Sequence, residues 1–169
     1  MKKIGLIYLL LMMVMCKKEE VPTKLPDLTQ NGANTFGCKI NNEIYIPEHR
    51  KVTIAPNPII IEYPNYPNYF FSVSTNRVAS NSDSFKDASI SFSVMKVLNS
   101  GDYIINYGTV KFNGLYYKAD TSLNNSVKIT FLDTIQHIIS GTFNFSAINE
   151  YNNNDIVKVT EGRFDLKKE

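Results

Sequence analysis

Residues 88–94 read Ala88-Ser89-Ile90-Ser91-Phe92-Ser93-Val94. Apolar side chains fall at every second position with serine between them, so one face of an extended segment suits a core and the other suits water. That period of two predicts a half-buried β-strand. Outward from it, residues 58–63 and 69–74 upstream, and 103–107, 110–112, 115–119, 127–131, 138–147 and 156–164 downstream, are rich in β-branched and aromatic residues. Residues 36–40 and 43–47 flank Asn41-Asn42, a pair that tolerates the positive φ of a tight hairpin turn, and residues 52–55 add a further short run. No stretch of a dozen residues has helical spacing. The expectation is an all-β domain over residues 35–169, of about nine or ten antiparallel strands forming a sandwich or a flattened barrel. Three Asn- and Ser-rich stretches, 76–86, 120–126 and 149–155, predict exposed loops.

The amino terminus gives a location. Lys2 and Lys3 precede an apolar run from Ile4 to Met15, and Cys16 follows. Twelve helical residues cover about 18 Å, short of the roughly 30 Å that a spanning helix needs, so the run targets and does not span. It resembles a bacterial lipoprotein signal, in which the cysteine after the apolar stretch is lipidated and the chain is cut before it, although Met15 stands where a small residue is usual. The reading is a signal peptide over 1–15, palmitate or a related acyl group on Cys16, and an outer-membrane lipoprotein of the cell envelope held to its membrane through that lipid; the alternative is an uncleaved amino-terminal tether. Residues 17–34, KKEEVPTKLPDLTQNGAN, are polar and twice broken by proline, so 16–34 reads as a lipid-anchored flexible linker. Fully stretched it would hold the domain up to about 60 Å from the lipid. Lys17-Lys18-Glu19-Glu20 resembles the short Lys-acidic tag that sends some lipoproteins to the cell surface, which favours that face over the periplasmic one.

Charge and cysteine content exclude other classes. The chain has 18 basic and 16 acidic residues; Lys2 and Lys3 leave with residues 1–15, which contain no acid, so 16 face 16 in the remainder. A neutral chain without a basic stripe does not bind nucleic acid. With Cys16 acylated, Cys38 is the one remaining thiol, no intramolecular disulfide can form, and Phe36 and Ile40 at alternate positions make Cys38 a small buried hydrophobe in a strand.

Signs of catalysis are thin. His49 and His137 have no partner at ligand or triad spacing. Asp120-Thr121-Ser122-Leu123-Asn124 has the alternating oxygens of a calcium loop, but Asn125 stands where glycine is needed and Phe131 where a bidentate Glu belongs, so it reads as a polar turn. No catalytic residue, metal ligand or cofactor is assigned, and the chain reads as no enzyme. The unusual stretch is Tyr63-Pro64-Asn65-Tyr66-Pro67-Asn68-Tyr69. In polyproline II, with three residues per turn, Tyr63, Tyr66 and Tyr69 would line one side and could stack on a glycan or an envelope protein partner. The favoured alternative is that the prolines interrupt an edge strand and protect it from pairing while the tyrosines cover the sheet. The absence of tryptophan lowers the glycan case.

Three segments carry a family resemblance: residues 25–38, LPDLTQNGANTFGC; residues 139–145, ISGTFNF; and residues 161–165, EGRFD. They are similar to an uncharacterised family of Bacteroidota lipoproteins, domain of unknown function 6252, departing from its pattern at Asp27 and Glu161. The resemblance implies location and fold, and no activity. Within these segments, Gly141 in a strand predicts a bulge or a close backbone approach. Arg163 and Asp165, two apart on one strand face, predict a surface ion pair. Two functions stay open: a non-catalytic interaction or accessory module, and a calycin-like barrel that binds a small apolar ligand. A hydrolase, with carboxylates meeting only in three dimensions, is a distant third. A ligand barrel needs an interior cavity of several hundred cubic ångströms, whereas an interaction module has a filled core and an aromatic surface patch.

Overall fold

The computed structural model describes residues 23–48, 57–65, 67–77 and 87–169, so the expected strand at 52–55, Cys16, His49 and Tyr66 lie outside the described residues. The rest is all-β. Eleven strands follow in order: β1 (Thr35–Ile40), β2 (Glu43–Tyr45), β3 (Ile59–Glu62), β4 (Phe71–Arg77), β5 (Ala88–Val94), β6 (Gly101–Tyr103), β7 (Tyr107–Phe112), β8 (Leu115–Ala119), β9 (Asn125–Asp133), β10 (Ile138–Asn149) and β11 (Asn152–Lys167). They form one sheet in the order β2-β1-β11-β10-β8-β7-β5-β4-β3, with β9 between β10 and β6. Every pairing of named strands is antiparallel.

β10 is where the sheet forks. One of its edges pairs with β11 along nearly its whole length, while the other takes β9 over residues 138–145 and β8 over residues 147–149. The split lets the sheet double over on itself, sandwich fashion, without closing into a barrel. Phenylalanines on strands that are not ladder neighbours meet across the fold: Phe92 of β5 lies 4.8 Å from Phe143 of β10, and Phe71 of β4 lies 5.4 Å from Phe164 of β11, centroid to centroid. Phe36 joins Phe143 at 5.1 Å. These rings pack against one another across the interior, and among the described residues Phe36, Phe71, Phe92 and Phe145 are essentially inaccessible. Packed aromatic pairs of this kind add about 0.5–1.5 kcal/mol each beyond their burial.

The alternating stretch is β5 as expected, with Ala88, Ile90, Phe92 and Val94 buried. Asn41 and Asn42 take φ of 47° and 71° and turn β1 into β2. Asn113-Gly114, at 54° and 79°, makes the same kind of turn between β7 and β8. Cys38 is buried in β1. Gly141 does both things its position predicts: the β9–β10 register slips between Ser140 and Gly141, and a Cβ at Gly141 would run into the Lys128 carbonyl oxygen and lie 2.8 Å from Phe164 Cζ.

Three expectations change. Residues 103–107 are not one strand: the chain breaks at Ile104-Ile105-Asn106, β6 pairs with β9, and β7 pairs with β5 and β8. The Asn125 side chain causes the break, because its Oδ1 accepts from the Ile105 amide at 3.0 Å and its Nδ2 donates to the Ile105 carbonyl at 3.3 Å, standing in for a ladder partner. Arg163 and Asp165 do share a face, but they do not pair. Asp165 is buried under the segment before β1, whose neutral donors satisfy it, while Arg163 donates to the carbonyls of Glu161 and Pro26 at 3.3 and 3.4 Å. The described part of the expected linker, from Pro26 to Asn34, therefore lies on the domain.

Candidate functional site

The tyrosine-proline segment runs from the end of β3 to the start of β4. Tyr63 is 4% exposed, its hydroxyl donating to the Asp133 carbonyl at 2.8 Å and its ring lying 5.4 Å from that of His137. Burial, with the nearby Asp133 charge, pushes the Tyr63 hydroxyl pKa up to about 12. Tyr69 is half-buried and has a φ of 46°. Its amide donates to the Asn65 carbonyl at 2.8 Å, and its own carbonyl accepts from the Val97 amide at 2.9 Å. A single exposed row is thus not formed at Tyr63: the chain turns tightly through Pro67-Asn68, so the threefold spacing of polyproline II does not persist across the segment.

What the turn builds is a surface hollow. Pro67, Asn68, Tyr69 and Phe70 face Met95, Lys96 and Leu98 across an open concavity of about 690 Å³. Met95 and Leu98 are 54% and 53% exposed, so they lie on the surface and add apolar area to the hollow. The walls are braced: the Met95 amide donates to Asn106 Oδ1 at 2.8 Å, and the Tyr103 hydroxyl donates to the Asn99 carbonyl at 2.7 Å. Lys96, with a φ of 58°, supplies the one cationic group among the described residues of the lining. Chemically the hollow offers apolar and aromatic surface, one ammonium and one carboxamide.

The other candidates have structural roles. Burial pushes the Cys38 thiol far above its ordinary pKa, with Arg77 pulling weakly the other way, so the thiol is neutral and is not a nucleophile. His137 sits exposed in the β9–β10 turn, its ring tilted by 50° against that of Tyr63. Asp120 Oδ1 accepts from the Ser122 amide and hydroxyl at 2.8 and 2.7 Å, closing its own turn. Of the hollow's lining, sequence reasoning picked out Tyr69 and missed Phe70, Met95, Lys96 and Leu98. The available signal was the apolar Met95 and Leu98 just past the strict alternation of residues 88–94. Compared with protein-family models, with curated proteins and with solved structures, the chain matches none.

Proposed function

We propose that the chain is an outer-membrane lipoprotein acylated at Cys16, displayed at the cell surface, whose β domain is a non-catalytic interaction module. In this reading an envelope protein seats an apolar side chain in the hollow between Tyr69-Phe70 and Met95-Leu98. The observation that carries it is the pairing of a phenylalanine-filled interior with a braced, exposed apolar concavity. The packed phenylalanines among the described residues weigh against the small apolar ligand of the calycin-like alternative, while a concavity with exposed Met and Leu suits an adaptable protein contact. A sugar ring calls for a flat aromatic face ringed by hydrogen-bonding side chains, and Met95 and Leu98 occupy those flanks.

The test is photo-crosslinking in intact cells from position 98, with the parent chain and Met95→Ser as the pair compared. Met95 is exposed, so Met95→Ser should change the melting temperature by no more than about two degrees. The expected outcome is a discrete adduct in the parent that is reduced at least about tenfold by Met95→Ser, as for a contact near the centre of an interface. An adduct that survives Met95→Ser unchanged would reject the hollow as the partner site.

A further inference from the structure

We propose that the segment before β1 is a strap buckled to the last strand by Asp165, and that the buckle keeps the domain close to its membrane. The standoff rests on the lipid anchor proposed at Cys16; the buckle does not. Asp165 is 1% exposed, and its carboxylate accepts from five neutral donors. Thr29 Oγ1 lies at 2.6 Å, Ser140 Oγ at 2.7 Å, and the amides of Gly32, Asn31 and Ala33 at 2.9, 3.1 and 3.1 Å. Four of the five come from residues 29–33, so a single charge on β11 organises that whole turn of the strap. Charge-assisted bonds of this length are the strong kind.

The strap is held on either side of the buckle as well. Pro26 fills the space above Gly37, where a Cβ would stand 2.6 Å from Pro26 Cδ, and the Pro26 carbonyl accepts from Arg163. At the other end Asn34 Oδ1 accepts from the Lys167 amide at 2.8 Å. The three segments quoted above, 25–38, 139–145 and 161–165, meet here: Thr29 to Ala33, Ser140 and Asp165 are one cluster. Reach follows from chain length. The ten residues from Cys16 to Pro26 can span at most about 33 Å, and the nineteen from Cys16 to Thr35 at most about 63 Å. A buckled domain meets partners in or beside the bilayer, and an unbuckled one reaches roughly twice as far.

Two measurements on the full chain decide this. In hydrogen exchange, the amides of Asn31, Gly32 and Ala33 should exchange at least about a hundredfold more slowly than free peptide; free-chain rates would overturn the buckle. For the standoff, acylated protein carrying a donor dye at Ser100→Cys is placed in phosphatidylethanolamine–phosphatidylglycerol vesicles with headgroup acceptors. Energy transfer should fall at least about twofold in Asp165→Ala, and equally in a calibrating chain with ten Gly/Ser residues inserted after Thr23. Should Asp165→Ala not fold, Asn31→Pro removes one donor from the strap without touching a strand and should lower transfer in the same direction. A folded variant whose transfer equals the parent's, while the insertion lowers it, overturns the standoff. So does a parent that takes up no acyl chain, and the exchange rates then decide the buckle alone.

Discussion

Asp165 shows what one side chain can do when its surroundings are chosen for it. Burial pushes the pKa of its carboxyl up, and hydrogen bonds from Thr29, Ser140, Ala33 and Gly32 more than offset that, leaving it below the ordinary 3.8. The sign of the pH effect follows. As pH drops, the unfolded chain takes up a proton at the ordinary value before the folded chain does, so the stabilisation is complete above about pH 5 and fades through the lowered folded value. Asp165→Asn keeps the shape, loses the charge and turns one acceptor into a donor facing donors, at a cost on the order of 2–4 kcal/mol. Urea midpoints of parent and variant should stay a constant distance apart from about pH 5 to 8 and converge in stronger acid. A gap that widens in acid would contradict the account. Cys38, by contrast, has no such poise: its raised pKa comes from burial, and it fills space in β1.

At the scale of the element, the stretch between β3 and β4 is two structures in succession, a buried tyrosine and a turn. Tyr63→Ala should cost about 3–5 kcal/mol, since it empties a core position. Tyr63→Phe should cost about 1–2 kcal/mol, since it removes only the hydroxyl that the Asp133 and Ile138 carbonyls share. The half-buried Tyr69→Ala should cost less than Tyr63→Ala, and equal melting temperatures for the two alanine variants would contradict this division. The strands themselves were readable wherever one face is core and the other water, as in β5, and Asn41-Asn42 announced its hairpin by its tolerance of positive φ. The break at 104–106 was not readable, because Tyr103 to Tyr107 is uniform in β propensity and what interrupts it is an Asn125 amide that arrives twenty residues later. Periodicity reports faces and not what lies on them. It put Arg163 and Asp165 on one side of β11, but the strap that covers that side and supplies Asp165 with neutral donors comes from the opposite end of the chain. The hollow escaped for the same reason: its walls are the turn before β4 and the residues after β5, brought together by the pairing of Phe71 with Val94 and the bond from the Val97 amide to the Tyr69 carbonyl.

For the whole molecule, attachment decides what the domain can touch. No helix among the described residues is long and apolar enough to cross a membrane. In the proposed reading the hold on the bilayer comes from acyl groups on Cys16. One acyl chain gives only marginal binding while two or more give stable anchoring, and a lipidated amino-terminal cysteine of this kind provides the latter. Labelled palmitate should therefore enter the parent and be absent from Cys16→Ser, and the variant should move from the membrane to the soluble fraction. Retention of label in Cys16→Ser would place the lipid elsewhere. The facing of the domain is read in the same cells: protease added outside should remove the domain from the parent, and replacing Glu19 and Glu20 by Ala should protect it if the Lys-acidic tag directs export to the surface. The buckle bears on the cleavage pattern, because the strap, though largely exposed, has its backbone tied to β10 and β11 by hydrogen bonds and so resists the extended conformation that a protease needs. Under limited digestion the first cut should accordingly fall on the amino-terminal side of Pro26, releasing the domain with its strap still attached. A first cut within residues 29–33 would show that the strap is open on the cell, and that the domain works at the longer reach.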